Sequence, residues 1–154
     1  MKSIKRIHIP QVLVETHPTD ELDLDHFWVN RQPFLHTKSR KIKFLTADRC
    51  TSTSMNEALK LINKTVQKYE DRGFEIDLFH GDNAFSPLME QFGESRMHIV
   101  SKGEHVPNIE RSIRTLKERC RCFTAGLPYS RYPKVLTKGL VDTVVASRTC
   151  SLHR

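Results

Sequence analysis

The order of strand-like and helix-like patterns is the feature that most constrains how this chain folds. Three short strands are predicted first, and helices then alternate with two more strands. The predicted strands are Glu21–Val29, Pro33–Thr37, Ile42–Ala47, Phe74–Phe79 and Met97–Val100. A meander followed by alternating helices and strands is expected to form an α/β fold, with a mixed five-stranded sheet flanked by helices.

Helical periodicity places the helices between and after these strands. Thr51–Ser54 supplies capping residues for a helix that Gly73 ends. Further helices are predicted over residues 86–92, 107–125 and 135–145. Taken with the strands, this order is the one expected of a ribonuclease-H-like fold.

The length of 154 residues fits one domain with a core of its own. We expect residues 1–20 to form an N-terminal arm, with Val12–Val14 as one added strand, and residues 21–150 to form the core domain. No apolar run approaches the roughly 20 residues needed to span a bilayer. The first residues also lack the apolar block of a signal peptide. An intracellular protein with no membrane partner is therefore expected.

The charge balance favours a polyanionic partner. The formal net charge is +7 and the isoelectric point is about 9.4. An ordinary basic protein would give the same totals, so charge alone does not select nucleic acid. The four cysteines form no CxxC pair, so no structural zinc spacing is present, and Cys120 is expected to be a small core residue.

Three carboxylates are candidate ligands for metal ions that catalyse phosphodiester cleavage. Asp25 lies in the first predicted strand, Asp82 follows a later strand at the Gly81 turn, and Glu110 begins the long helix. Two Mg²⁺ or Mn²⁺ ions can activate a nucleophile and stabilise a leaving oxygen. Such hard ions prefer oxygen ligands, so Asp25, Asp82 and Glu110 are the candidate metal-binding and catalytic residues.

Each carboxylate also has a purely structural interpretation. Asp82 could be a turn residue, and Asp25 an exposed residue of an edge strand. Glu110 could be a first-turn Glu that the helix dipole favours. Asp23 lies on the same face of its strand as Asp25, so the local pattern does not choose between them.

Basic residues follow Glu110 along the same long helix. Arg114, Lys117 and Arg121 lie on roughly its face and could bind DNA phosphates. The alternative is a solvated face with salt bridges to Glu118. No nucleophile elbow, Walker loop, dinucleotide fingerprint or zinc deaminase signature occurs.

His80 and His105 flank the candidate carboxylates in the sequence. They are interpreted as structural or surface histidines, with contact to substrate or metal as the alternative.

Several segments resemble the integrase core of copia-type retrotransposon polyproteins. The resemblance covers about residues 21–140, and its last two segments are the most specific. The segments that carry it are LDHFWVN (24–30), RQPFL (31–35), YEDRGF (69–74), GDNAFSPL (81–88), EHVPNIERSIRT (104–115) and LPYSRYPK (127–134).

This resemblance implies a DDE-type enzyme that uses Mg²⁺ or Mn²⁺ to join the ends of element DNA to a target duplex. The first metal-binding Asp of the family falls on Asp25, the second on Asp82 and the Glu on Glu110. Arg114 and Lys117 would face the DNA end. The resemblance also implies nuclear action and a homodimer or higher multimer.

The chain departs from the family in ways that leave other functions open. Only 27 residues separate Asp82 from Glu110, a short connection that a trimmed surface loop would tolerate. The family's zinc module is absent, so the resemblance implies a truncated fragment. A catalytically inactive nucleic-acid-binding relic and a metal-dependent nuclease of the same fold remain the alternatives.

Overall fold

A computed structural model of the chain describes residues 9–93, 96–100, 107–128 and 131–151. Five strands and five α-helices lie within these ranges. The strands are β1 (Thr19–Val29), β2 (Gln32–Ser39), β3 (Leu45–Arg49), β4 (Glu75–Gly81) and β5 (Met97–Ile99). The helices are α1 (Gln11–Thr16), α2 (Met55–Glu70), α3 (Met89–Phe92), α4 (Pro107–Ala125) and α5 (Thr137–Ser151), with 3₁₀ helices at Asn83–Leu88 and Lys134–Leu136.

The strands form one mixed sheet in the order β3-β2-β1-β4-β5. The β1–β2 and β2–β3 pairs are antiparallel, whereas the β1–β4 and β4–β5 pairs are parallel. The predicted α/β sheet flanked by helices is therefore confirmed. Its central strand, β1, pairs with β2 from Leu22 to Val29 and with β4 from Thr19 to Asp23.

Two apolar clusters cover the two faces of the sheet. On one face, Leu22, Leu24 and Ile76 pack with buried residues of α2. On the other, Phe27 and Phe34 pack with buried residues of α4 and α5. Because successive side chains of a strand point to opposite faces, the odd-numbered residues of β1 look towards α4.

Local sequence explains the main boundaries. The Ser54 side chain accepts a hydrogen bond from the Glu57 backbone amide and caps the start of α2. The β1–β2 hairpin turns through Asn30 and Arg31, both with positive φ, as a two-residue turn of the primed type requires. This tight turn sets the register that pairs Asp25 with His36.

Two sequence-based predictions were wrong. The segment Val12–Val14 is part of helix α1, where we expected an added strand. Leu13 and Val14 pack against the α2-side core, and that tertiary packing outweighs the strand preference of valine. The helical spacing also predicts Phe123 on the same side of the long helix as Ile109 and Cys120. Phe123 is instead 51% exposed, because the buried stripe of α4 ends at Cys120.

Among the helices of the described residues, none is long and apolar enough to cross a membrane. Residues 101–106, which include His105, lie outside the described residues.

Candidate metal and DNA site

Asp25 is the electrostatic centre of the candidate site. It lies half-buried on the central strand, and its pKa is raised from 3.8 to about 6. Burial is the largest cause, and the negative charge of Asp82 is the next. A hydrogen bond from the His26 backbone amide opposes the rise, Glu110 adds to it, and Lys117 lowers it. The fold therefore brings all three candidate carboxylates into one electrostatic neighbourhood.

Asp82 stands exposed at the end of β4, next to the central strand. Its side chain accepts a hydrogen bond from the Ala84 amide at 3.1 Å and caps the 3₁₀ helix that follows. A Cβ atom at Gly81 would lie 3.0 Å from the Phe85 ring and 3.2 Å from the Met97 side chain. Glycine is therefore needed here for Phe85 to pack closely, and this packing fixes the turn that carries Asp82.

A second contact ties this turn to β1. The rings of His26 and Phe85 are stacked, with centroids 5.0 Å apart and planes 6° from parallel. Burial lowers the pKa of His26, although the charge of Asp82 opposes the change. His26 follows Asp25 directly, so the stacking couples the positions of Asp25 and Asp82.

Asp23, the competitor to Asp25, is fully buried and has other partners. Its carboxylate accepts hydrogen bonds from Arg40 Nε at 2.7 Å and from Asn108 Nδ2 at 2.6 Å. Lys38 in turn donates to the side-chain oxygen of Asn108. Asp23 thus anchors the start of α4, which leaves Asp25 as the carboxylate of β1 that faces Asp82 and Glu110.

Glu110 lies in the first turn of α4 and is half-buried. The helix that carries it is also anchored through the buried His36. The Nε2 atom of His36 lies 2.9 Å from Ser112 Oγ, and Nδ1 lies 2.6 Å from the Thr46 carbonyl oxygen. Burial lowers the pKa of His36 to about 4, so the ring is neutral and donates its Nδ1 proton to Thr46. The Ser112 hydroxyl then donates to Nε2.

His80 has structural partners. Its Nε2 atom lies 2.6 Å from a carboxylate oxygen of Glu21, and its Nδ1 atom lies 3.4 Å from that of His98. Arg40 is also 3.7 Å from Glu21. These contacts join β1, β4 and β5 below the turn that carries Asp82.

The predicted DNA-binding side chains follow Glu110 on the outer part of α4. Arg114 and Arg121 are exposed, and Lys117 is half-buried with its charge acting on Asp25. Within the described part of the helix, Arg114 and Glu118 form no ion pair. The three cations are therefore not neutralised by the local salt bridges that the alternative interpretation required.

The donor set suits a hard divalent ion. Asp25, Asp82 and Glu110 supply only carboxylate oxygens. The raised pKa of Asp25 reflects burial first and the negative charge of Asp82 next, and a bound cation would offset that charge. Among the residues that the structure describes, no group of three His, Cys, Asp or Glu side chains is arranged as a metal site.

Comparison with known proteins shows the fold. No protein-family model matches the chain, and no curated protein matches it. Among solved structures, the catalytic core domain of BIV integrase matches with a TM-score of 0.58 at 14% sequence identity. The match covers 82% of this chain and 81% of that one. At this identity the likeness shows an integrase-like, ribonuclease-H-like fold, and the copia-type assignment stays a prediction.

Sequence reasoning missed two residues near the site. Asn108 was not singled out, although it lies two residues before Glu110 and could have been noticed as an amide at the start of a helix. The alternation of the first strand places Trp28 on the same face as Leu22, Leu24 and His26, but Trp28 was not singled out, and it is 51% exposed. The available signal for Trp28 was that the only tryptophan of the sequence lies two positions before the Asn30–Arg31 turn.

Proposed function

We propose that this chain is an integrase core of retrotransposon origin that cuts and joins DNA with two divalent ions. One observation supports the proposal most strongly: the half-buried carboxylate of Asp25 feels the charges of both Asp82 and Glu110. These residues come from the central strand, the end of its neighbour and a helix packed over the sheet. The likeness of the fold to the catalytic core domain of an integrase supports the same proposal.

Each residue has a definite task in this mechanism. Asp25, Asp82 and Glu110 would hold Mg²⁺ or Mn²⁺. When bound, two such ions activate an attacking water or 3′-hydroxyl and stabilise the leaving oxygen. Asp25 would supply a ligand from within a strand, at a position that pairs with His36 of β2.

The basic side chains of α4 bind the substrate. Arg114, Lys117 and Arg121 would contact phosphates of the DNA backbone, and the charge of Lys117 also acts on Asp25. Their phosphate contacts place the scissile bond beside Asp25 without reading sequence. The partners are then the ends of the element DNA and a target duplex, in the nucleus. A homodimer or higher multimer stays a prediction from the resemblance.

The decisive experiment follows nicking and joining of a labelled DNA duplex with Mn²⁺ or Mg²⁺. Wild type is compared with Asp82→Asn, which removes one charge at an exposed position. Asp77→Asn is the matched control, because Asp77 is exposed on the same strand away from the carboxylates. We expect joined products from wild type and the control, and none from Asp82→Asn.

Other outcomes distinguish the competing functions. Equal activity of Asp82→Asn and wild type would reject the metal-binding assignment. Hydrolysed ends without joined strands would identify a metal-dependent nuclease of the same fold.

An inactive nucleic-acid-binding relic is the second candidate. It requires only the exposed cations of α4, such as Arg114 and Arg121, and no metal site. Salt-dependent duplex binding by a folded protein, with no metal-dependent products, would support the relic.

A further inference from the structure

A pair of histidines lies side by side on strands β4 and β5. His80 is the register partner of His98 in this parallel pair, so both side chains point to the same face of the sheet. The ring centroids are 5.4 Å apart, and the ring planes are 69° from parallel. The two Nδ1 atoms lie 3.4 Å from each other. One small ion between the rings could therefore contact both nitrogens.

Glu21 determines which nitrogen of His80 is left for such an ion. The Nε2 atom of His80 lies 2.6 Å from a carboxylate oxygen of Glu21. An ionised carboxylate can only accept, so Nε2 carries the ring proton. In the neutral ring, Nδ1 then keeps an unshared electron pair on the side of His98. A carboxylate that accepts from the other ring nitrogen is the usual partner of a metal-binding histidine.

The distance between the two Nδ1 atoms matches that between two ligands of one ion. Zn²⁺ binds imidazole nitrogen at about 2.0–2.1 Å in tetrahedral geometry, which places two such nitrogens about 3.3–3.4 Å apart. Hydrogen bonds donated by N–H groups to oxygen are usually about 2.7–3.2 Å long. The observed 3.4 Å between His80 and His98 is therefore long for a hydrogen bond and fits shared ligation.

The pair combines a fixed ligand with an accessible one. The His80 side chain is only 8% exposed, whereas His98 is exposed to solvent. An ion could therefore enter from the His98 side. Among the described residues no group of three His, Cys, Asp or Glu side chains forms a metal site, so the ion would have two protein ligands and water at its other positions.

We propose that His80 and His98 together bind a transition-metal ion of the Zn²⁺ type, and that Glu21 positions His80 for this task. Imidazole suits Zn²⁺, Cu²⁺ and Ni²⁺, whereas Mg²⁺ prefers oxygen ligands. This site is thus chemically distinct from the three carboxylates and does not depend on the proposed function. The bound ion links the three-residue edge strand β5 to β4, the strand that leads to Asp82.

Zinc binding is measured by isothermal titration calorimetry and thermal unfolding of the full chain without an affinity tag. We expect wild type to bind Zn²⁺ saturably and to unfold at a higher temperature with it, since an ion that binds only the folded state stabilises that state. His98→Ala, at an exposed position, should lose both effects. His17→Ala is the matched control, because His17 lies at the end of α1, and it should behave as wild type.

Two further variants separate the parts of the proposal. Glu21→Ala should bind Zn²⁺ roughly 10- to 100-fold more weakly, the usual cost of losing the partner that orients a histidine ligand. Asp82→Asn should keep the zinc binding of wild type, because its carboxylate is not a ligand of this ion. Circular dichroism of each variant checks that the sheet is intact.

Electron paramagnetic resonance with Cu²⁺ as the probe identifies the ligands in wild type without any substitution. We expect nitrogen hyperfine splitting from two imidazoles, a signal that carboxylate ligands do not give.

The remaining outcomes would overturn the inference. Absence of zinc binding by folded wild type, or equal zinc binding by His98→Ala and wild type, would show that the two rings only form a hydrogen bond. Loss of zinc binding in Asp82→Asn but not in His98→Ala would place the ion on the carboxylates. Neither result decides whether the protein cuts and joins DNA, which the assay with labelled duplex tests separately.

Discussion

Asn108 donates a hydrogen bond to the fully buried carboxylate of Asp23 at 2.6 Å, which ties the first turn of helix α4 to the central strand. Glu110 lies two residues further along that turn. The distance between Glu110 and Asp25 is therefore set by a contact that involves neither residue. Asp23 acts here as a positioning residue for the candidate metal site.

Asn108→Ala should lower both stability and activity. The substitution leaves Asp23 with Arg40 as its remaining side-chain hydrogen-bond partner among the described residues, and leaving a buried acceptor partly unsatisfied costs about 1–3 kcal/mol. Urea denaturation measures the loss in the free energy of unfolding. Because α4 is then less firmly placed, metal-dependent nicking should also fall, more than in a helix-surface control such as Thr115→Ala. Unchanged stability and activity would show that Asp23 does not position the helix.

Asp25→Asn should stabilise the metal-free protein in a pH-dependent way. The pKa of Asp25 is about 6 in the folded chain against 3.8 as the ordinary value, so the folded state loses stability as pH rises from about 4 to 6. That shift corresponds to about 3 kcal/mol at most, since solvent screens a half-buried group. The variant should therefore be more stable than wild type in EDTA at pH 7 and should lose this advantage below pH 4.

Denaturant titrations at several pH values measure this difference. Asp77→Asn, exposed on β4, serves as the control and should show no comparable gain at pH 7. Addition of Mg²⁺ should stabilise wild type and leave Asp25→Asn unchanged. If the difference in free energy of unfolding between Asp25→Asn and wild type is the same at every pH, the electrostatic role of Asp25 is contradicted.

Much of the fold was predictable from the sequence because periodicity and turn residues act locally. The strand before Gly81, the cap at Ser54 and the amphipathic stripe of α4 each identify their own element. Helix α1 was missed because its packing on the α2-side core is a long-range contact that no local pattern carries.

The candidate site was predictable only in part, for the same physical reason. Asp23 and Asp25 share one face of β1 and look alike in the sequence. Their different surroundings come from Arg40, beyond β2, and from Asn108, which is 85 positions from Asp23 along the chain. The 51% exposure of Trp28 is likewise not indicated by any local pattern in the sequence.

His36 should make the protein sensitive to acid. Its pKa is lowered from 6.5 to about 4 by burial, so the unfolded chain takes up a proton below pH 6.5 while the folded chain does not. Stability contributed by the neutral ring is thus lost as pH falls from 6.5 towards 4, by about 3 kcal/mol. His36→Gln keeps a hydrogen-bonding amide but cannot titrate, so its free energy of unfolding should change less over this range, although it is lower at pH 7. A parallel pH profile for the variant and wild type would show that another group causes the acid sensitivity.

The cations of α4 should differ in their effects on DNA binding and on the metal site. Arg114→Gln and Lys117→Gln each remove one phosphate contact, so each should reduce the slope of log affinity against log salt by about one. Of these two cations, only Lys117 lowers the pKa of Asp25, so Lys117→Gln should also shift the acidic limb of the pH–activity profile upwards, whereas Arg114→Gln should not. Filter binding of a duplex across a salt series measures the first effect, and nicking rates across pH measure the second. Identical pH profiles for the two variants would show that the Lys117 charge does not act on the carboxylates. An unchanged slope of log affinity against log salt would show that neither side chain contacts DNA phosphates.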